Sequence, residues 1–170
     1  MGSPALSPNP VMSVEEYLHT SFEGSDCEYL DGEIVERNMG NTSHGRTQLT
    51  LGFLFRLEEK RTGLFVVTEV RQRVTPSRFR IPDVAVFLGR PAEEVPPNPP
   101  YVAIEILSPD DRANYLIPKL AEYRRWGVAN IWVVDPDAKR LFVFNDGLLE
   151  ADQLELPAHQ ITFTAEQIFS

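Results

Sequence analysis

The 170-residue chain holds one cysteine, Cys27, so no intrachain disulfide and no cysteine-rich zinc site can form. Its three histidines, His19, His44 and His159, do not show metal-ligand spacing. No apolar run approaches the roughly 18 residues of a membrane-crossing helix, and Met1 to Pro10 lacks the basic start and apolar core of a secretion signal. A soluble cytoplasmic protein is therefore expected. Surplus positive charge is also missing: the net charge of −9 argues against a sequence-blind coat for nucleic acid. A GxxxxGK phosphate loop, a GxGxxG turn and a GxSxG elbow are all absent.

What is present is enough apolar material for a core, 42% hydrophobic and 10% aromatic. The acidity is uneven. Residues 1–40 hold eight acids and one base, residues 131–170 hold seven acids and two bases, and residues 41–130 hold ten acids and thirteen bases. Only the middle of the chain is suited to face a polyanion. Residues 1–11, rich in proline and small residues, read as a mobile tail before a single domain over 12–170.

The pattern Ser13-Val14-Glu15-Glu16 is a capping box and predicts a helix over about 13–20. Asp31-Gly32 predicts a tight hairpin within residues 29–36. A longer helix, capped by Thr42 or Ser43, is expected to run to Arg61 with Leu49, Phe53 and Leu57 as its apolar stripe, and Gly63 stops it. Strands are predicted over 64–74, 80–87 and 101–107, the first two joined as a hairpin through Thr75-Pro76-Ser77. Pro118 lacks an amide hydrogen, which predicts a second helix starting at 115–117 and running to 126. Strands over 130–134 and 139–145 follow, with a short strand and helix at the end. This order describes an α/β (α+β) fold, a central mixed β-sheet flanked by helices.

The chemistry falls to carboxylates. Asp83 follows Pro82 at the head of an apolar strand, and Glu105 interrupts the run Tyr101-Val102-Ala103-Ile104-Glu105-Ile106-Leu107. A strand of that composition is buried on both faces, and an ionised acid there must be paired, hydrogen-bonded or metal-bound. On neighbouring strands the two acids share a sheet face, and their hard oxygens suit Mg²⁺. The alternative is structural: Glu105 pairs with a core arginine and Asp83 caps a turn. Lys119, at the edge of the stripe Leu116, Leu120 and Tyr123, either reaches that pair with its ammonium or is a solvated helix lysine. His44, at a helix start, is expected to resist protonation through the helix dipole. Arg71, Arg73, Arg78 and Arg80 place four cations in ten residues, either as DNA backbone contacts or as a strand face with internal pairs, Glu69 being one partner. Trp126 and Trp132 read as packing residues, and the acids flanking Cys27 are expected to raise its thiol pKa.

Pro82-Asp83 followed by Glu105-Ile106-Leu107 resembles the PD-(D/E)XK nuclease pattern, with Leu107 at the place of the signature lysine. More closely, the chain resembles the Uma-two family of restriction endonuclease-like proteins. The resembling segments are Ser13 to Tyr17, Tyr29 to Glu33, His44-Gly45-Arg46, Ile81 to Val86, Glu105 to Pro109, Lys119 to Arg124 and Trp132 to Pro136, in the same order. The resemblance implies a restriction endonuclease-like αβββαβ core and an endonuclease acting on DNA with Mg²⁺ or Mn²⁺. It implies that Asp83, Glu105 and the Ile106 carbonyl bind the metal, that Lys119 is the catalytic lysine migrated to the following helix, and that Glu33 and His44 lie near the site. A homodimer is also expected. A catalytically silent module of the same fold, binding nucleic acid or a protein, is the alternative.

Overall fold

The computed structural model describes residues 11–170. The expected tail lies outside them except for Val11, which is exposed. Helix α1 (Val14–His19) starts with the capping box, Ser13 and Glu16 each accepting the other's amide. Strands β1 (Glu28–Leu30) and β2 (Glu33–Val35) form the expected hairpin, with Asp31 and Gly32 both at positive φ.

Helix α2 (Thr42–Thr62) is capped by Asn41, one residue before the expected cap, its side chain accepting from the His44 amide. Its stripe also differs from expectation. Leu49, Phe53 and Leu57 are about 60% exposed, and the buried face carries His44, Thr47, Leu51 and Phe55. Apolar residues surround this helix, so spacing offers two stripes and the packing partner selects one.

The two long strands expected over 64–74 and 80–87 are each broken. They form β3 (Phe65–Thr68), β4 (Gln72–Thr75), β5 (Arg78–Arg80) and β6 (Val84–Phe87). Glu69 turns to positive φ on one side, and Pro82, unable to donate to a ladder, interrupts the other. At this break the hairpin passes from one sheet to another. Its tip, β4 and β5, joins a four-stranded sheet of order β2-β1-β5-β4. Its base, β3 and β6, joins strands β7 (Val102–Ile106), β8 (Asn130–Asp135), β9 (Arg140–Phe144) and β10 (Leu148–Ala151) in a six-stranded sheet of order β10-β9-β8-β7-β6-β3. Only β7 and β8 pair in parallel, so the sheet is mixed.

Helix α3 (Ala113–Trp126) connects that parallel pair. It begins earlier than expected, which leaves Pro118 inside it and the Asn114 carbonyl without its helical donor. The buried Lys119, Leu120, Glu122 and Tyr123 hold the helix through that defect. The chain ends in the hairpin β11 (Gln153–Leu156) and β12 (Ile161–Thr164) and helix α4 (Ala165–Phe169), more than the single strand and helix expected.

The six-stranded sheet separates two cores. On one face Leu51 and Phe55 of α2 and the C-terminal hairpin pack against Val84, Ile104 and Trp132. On the other, Leu120 and Tyr123 of α3 cover Ala103, Ile131 and Val133. Trp132 stacks on Phe55, and Trp126 packs at the rim of the second core, the roles expected of both tryptophans. Tyr17, Tyr29 and Phe79 form a third cluster under the small sheet.

Candidate active site

Antiparallel pairing of β6 and β7 sets Val84 opposite Ile104. Carried one residue further, it sets Asp83 opposite Glu105, and directly opposed residues share a face. That face is the one α3 covers, and both acids line a cavity of about 770 Å³ with His44, Ile106 and Lys119. The Ile106 amide donates to Asp83 Oδ2 at 2.7 Å. A strand residue's N–H and C=O leave on the same side, so the Ile106 carbonyl also faces β6.

Asp83 is crowded with donors. Arg37 Nη2 lies 2.7 Å from Oδ1, and His44 Nε2 lies 3.4 Å from Oδ2. Burial opposes its ionisation, but the His44 hydrogen bond and the Arg37 charge outweigh burial, so Asp83 titrates below the ordinary value. The same hydrogen bond raises His44 above its usual pKa, the reverse of the expectation from the helix dipole. A carboxylate in contact outweighs a dipole of partial charge.

Lys119 is not a solvated helix lysine. It is buried, with Nζ 2.9 Å from Glu105 Oε1, 3.0 Å from Glu105 Oε2 and 2.9 Å from Glu28 Oε1. Glu105 also accepts from the Tyr123 hydroxyl at 2.7 Å. Around one ammonium the two acids diverge. Burial, helped by Asp83 and Glu28 and opposed by Lys119, pushes Glu105 up to about 7. Glu28 is buried too, but Lys119 and Arg80 overcome that cost and hold it down at about 2. Burial alone would discharge Lys119; the three surrounding carboxylates raise its pKa instead.

Other expected site residues lie elsewhere. Glu33 is exposed on β2 and does not line the cavity. The four hairpin arginines are largely absorbed into the fold. Arg71 clamps Asp26 and the carbonyls of Tyr17 and Thr20 with four hydrogen bonds, not Glu69. Arg78 bonds Asp31 and Glu122; Arg80, buried, bonds Glu28, Glu122 and Tyr115; Arg73 lies over the Phe79 ring. Cys27 is raised by burial first and by Asp26 second.

Sequence reasoning missed Glu28 and Arg37. Glu28 carries the signal that exposed Glu105, an acid among buried strand residues, in a strand of three residues that is too short to show it. Arg37 is the one base among the first 40 residues.

The donor set, two carboxylates and a carbonyl, is all oxygen and suits Mg²⁺ or Mn²⁺. Among the described residues no three His, Cys, Asp or Glu side chains gather into a ready metal cluster. The residues fit an ion if Asp83 yields Arg37 and Glu105 yields part of its contact with Lys119.

The model of a family described as "Putative restriction endonuclease" (Uma2) matches residues 14–167. The chain belongs to this family. A solved structure of similar fold is a crystal structure from Anabaena variabilis titled as a putative nuclease belonging to DUF820. It shares 19% identity at a TM-score of 0.79, over 93% of this chain and 97% of that one. None of the curated proteins compared matches the chain. Family and fold place it among restriction endonuclease-like nucleases, with the mixed sheet and flanking helices expected of them. No helix among the described residues is long and apolar enough to cross a membrane.

Proposed function

We propose that the protein is an endonuclease that hydrolyses DNA phosphodiester bonds with Mg²⁺ or Mn²⁺. Asp83, Glu105 and the Ile106 carbonyl hold the ion, and Lys119 is the catalytic amine. One observation carries this reading: two acids from adjoining strands share a face and a cavity, and an ammonium from the next helix touches one of them at 2.9 Å. The ion, when bound, supplies Lewis-acid polarisation of a phosphate oxygen and makes water more acidic. Lys119, kept charged by its carboxylates, offsets negative charge that grows on the phosphate in the transition state. His44 helps orient Asp83 through the contact of its Nε2 with Oδ2 at 3.4 Å.

A plasmid-nicking assay in Mg²⁺ or Mn²⁺ tests the assignment. Wild type nicks, and Asp83→Asn and Lys119→Met each lower the rate by about a hundredfold or more. Unchanged nicking in both variants removes it.

The second reading is a module of this fold that binds without turnover. It is favoured by the pairing of Asp83 and Glu105 with basic side chains and by the lack of a ready metal cluster among the described residues. Calorimetry with Mg²⁺ separates the two. Binding that Glu105→Ala abolishes supports the enzyme, and no binding at millimolar ion supports the module. A symmetric dimer belongs to the enzyme reading, because cutting both strands calls for two sites. Sedimentation of the protein with a DNA duplex tests it, and a single copy per duplex rejects it.

A further inference from the structure

Five acids line the cavity, Glu36, Asp83, Glu105, Asp110 and Asp111, against four basic groups, Arg37, His44, Arg112 and Lys119. Such a lining draws in a divalent cation and repels a phosphate, so a phosphate needs a cation from the chain as well. Of the four, His44 is held against Asp83, Lys119 is engaged by Glu105 and Glu28, and Arg112 is exposed at the start of α3. Arg37 remains.

Its bonding is incomplete. Among the described residues its side chain makes one hydrogen bond, from Nη2 to Asp83, and its Nη1 stands 4.0 Å from Glu69. Arg71 makes four and Arg80 three. A guanidinium carries five N–H donors in a fork that matches phosphate. Arg37 itself lines the cavity, and its side chain keeps about a tenth of its surface exposed. The segment that carries it, residues 36–40, has no regular structure. It is pinned across the cavity mouth by Asn38, whose amide donates to Asp111 at 2.6 Å. With its side chain short of partners, Arg37 can turn away from Asp83 while Asn38 keeps its bond to Asp111.

We infer that Arg37 and the divalent ion compete for Asp83, and that the displaced guanidinium becomes the ligand of a DNA phosphate at the cavity mouth. This rests on the metal-dependent reading above. Electrostatics favour the exchange: a dication on Asp83 repels the neighbouring guanidinium, and an arriving phosphate gives it a bidentate partner.

The test uses the full chain and two binding readouts. Calorimetry with Mn²⁺ on Arg37→Gln shows affinity about tenfold tighter than wild type, because the competing charge-assisted hydrogen bond is gone. Anisotropy of a short labelled DNA duplex in Ca²⁺ shows Arg37→Gln binding about tenfold weaker, with the slope of log affinity against log salt reduced by about one. Arg37→Lys keeps the slope and still loses affinity, since one point charge replaces the fork; it carries the test if Arg37→Gln does not fold. Wild type that binds Mn²⁺ with the same affinity as Arg37→Gln, or an unchanged duplex affinity in both variants, overturns this inference alone. Wild type that binds no Mn²⁺ overturns the metal-dependent reading and this inference with it.

Discussion

Lys119 stands between two ionic clusters made of the same residue types. On its inner side Glu28 accepts from Lys119, Arg80, the Tyr115 hydroxyl and the Ile81 amide, and Arg80 continues to Glu122. Glu28 is fully buried and stays ionised. On its outer side Asp83 and Glu105 face the cavity, Glu105 has its pKa raised to neutrality, and Arg37 leaves donors unused. The inner cluster has spent its lone pairs and can only hold the fold. The outer one has exchangeable partners, which a ligand can take over. Composition does not distinguish them; saturation does.

The largest expected effect tests the inner side. Glu28→Gln leaves Lys119 and Arg80 without their shared counter-charge and costs about 3–5 kcal/mol in a urea unfolding titration at neutral pH. A loss below about 1 kcal/mol, on the scale of an exposed pair, erases the contrast between the clusters.

Next comes pH. Glu105 has a folded pKa near 7 against an ordinary 4.5, so the folded state holds the extra proton. Its stabilising contribution is complete below 4.5 and declines as pH rises through 7, by about 1 kcal/mol per unit. Glu28, lowered to about 2, has the opposite sign: its contribution is complete above 4.5 and declines as pH falls toward 2. Glu105→Gln therefore gains stability relative to wild type as pH rises from 4.5 to 7. His44, also raised, keeps a falling slope above its ordinary 6.5 in that variant. Unfolding midpoints across pH 2–8 check both signs, and parallel wild-type and variant curves contradict the assignment for Glu105.

The smallest effect lies far from both clusters. Leu49→Ser and Phe53→Ser on the exposed side of α2 change stability by about 0.5 kcal/mol or less, whereas Leu51→Ala, one step around the helix, costs about 2–5 kcal/mol. A large loss at Phe53 places a partner on that face.

Much of this was legible in residues alone. Glu105 stood out because an acid in an apolar strand has to be explained, Asp83 because of the proline before it, and the capping box of α1 because its hydrogen bonds are local. The breaks at Glu69 and Pro82 were obscured by apolar residues that continue on both sides, so two strands of two sheets read as one. The α2 stripe failed for a related reason: periodicity shows that a helix has an apolar face, not which of two faces meets the sheet. For the hairpin arginines the structural alternative holds, but charge spacing carries no information about which partners they take: Asp26, Asp31, Glu28 and Glu122 come from other elements.

The sequence by itself determined the fold class, most of the elements and the two acids as candidates, since propensity, alternation and the cost of burying charge act within a few residues. Only the tertiary structure decided that Lys119 faces inward, that Glu28 and not Glu33 joins it, and that Arg37 rather than the hairpin arginines reaches the cavity. Those outcomes depend on which distant carboxylate meets which cation, a question of packing between elements that local sequence does not contain.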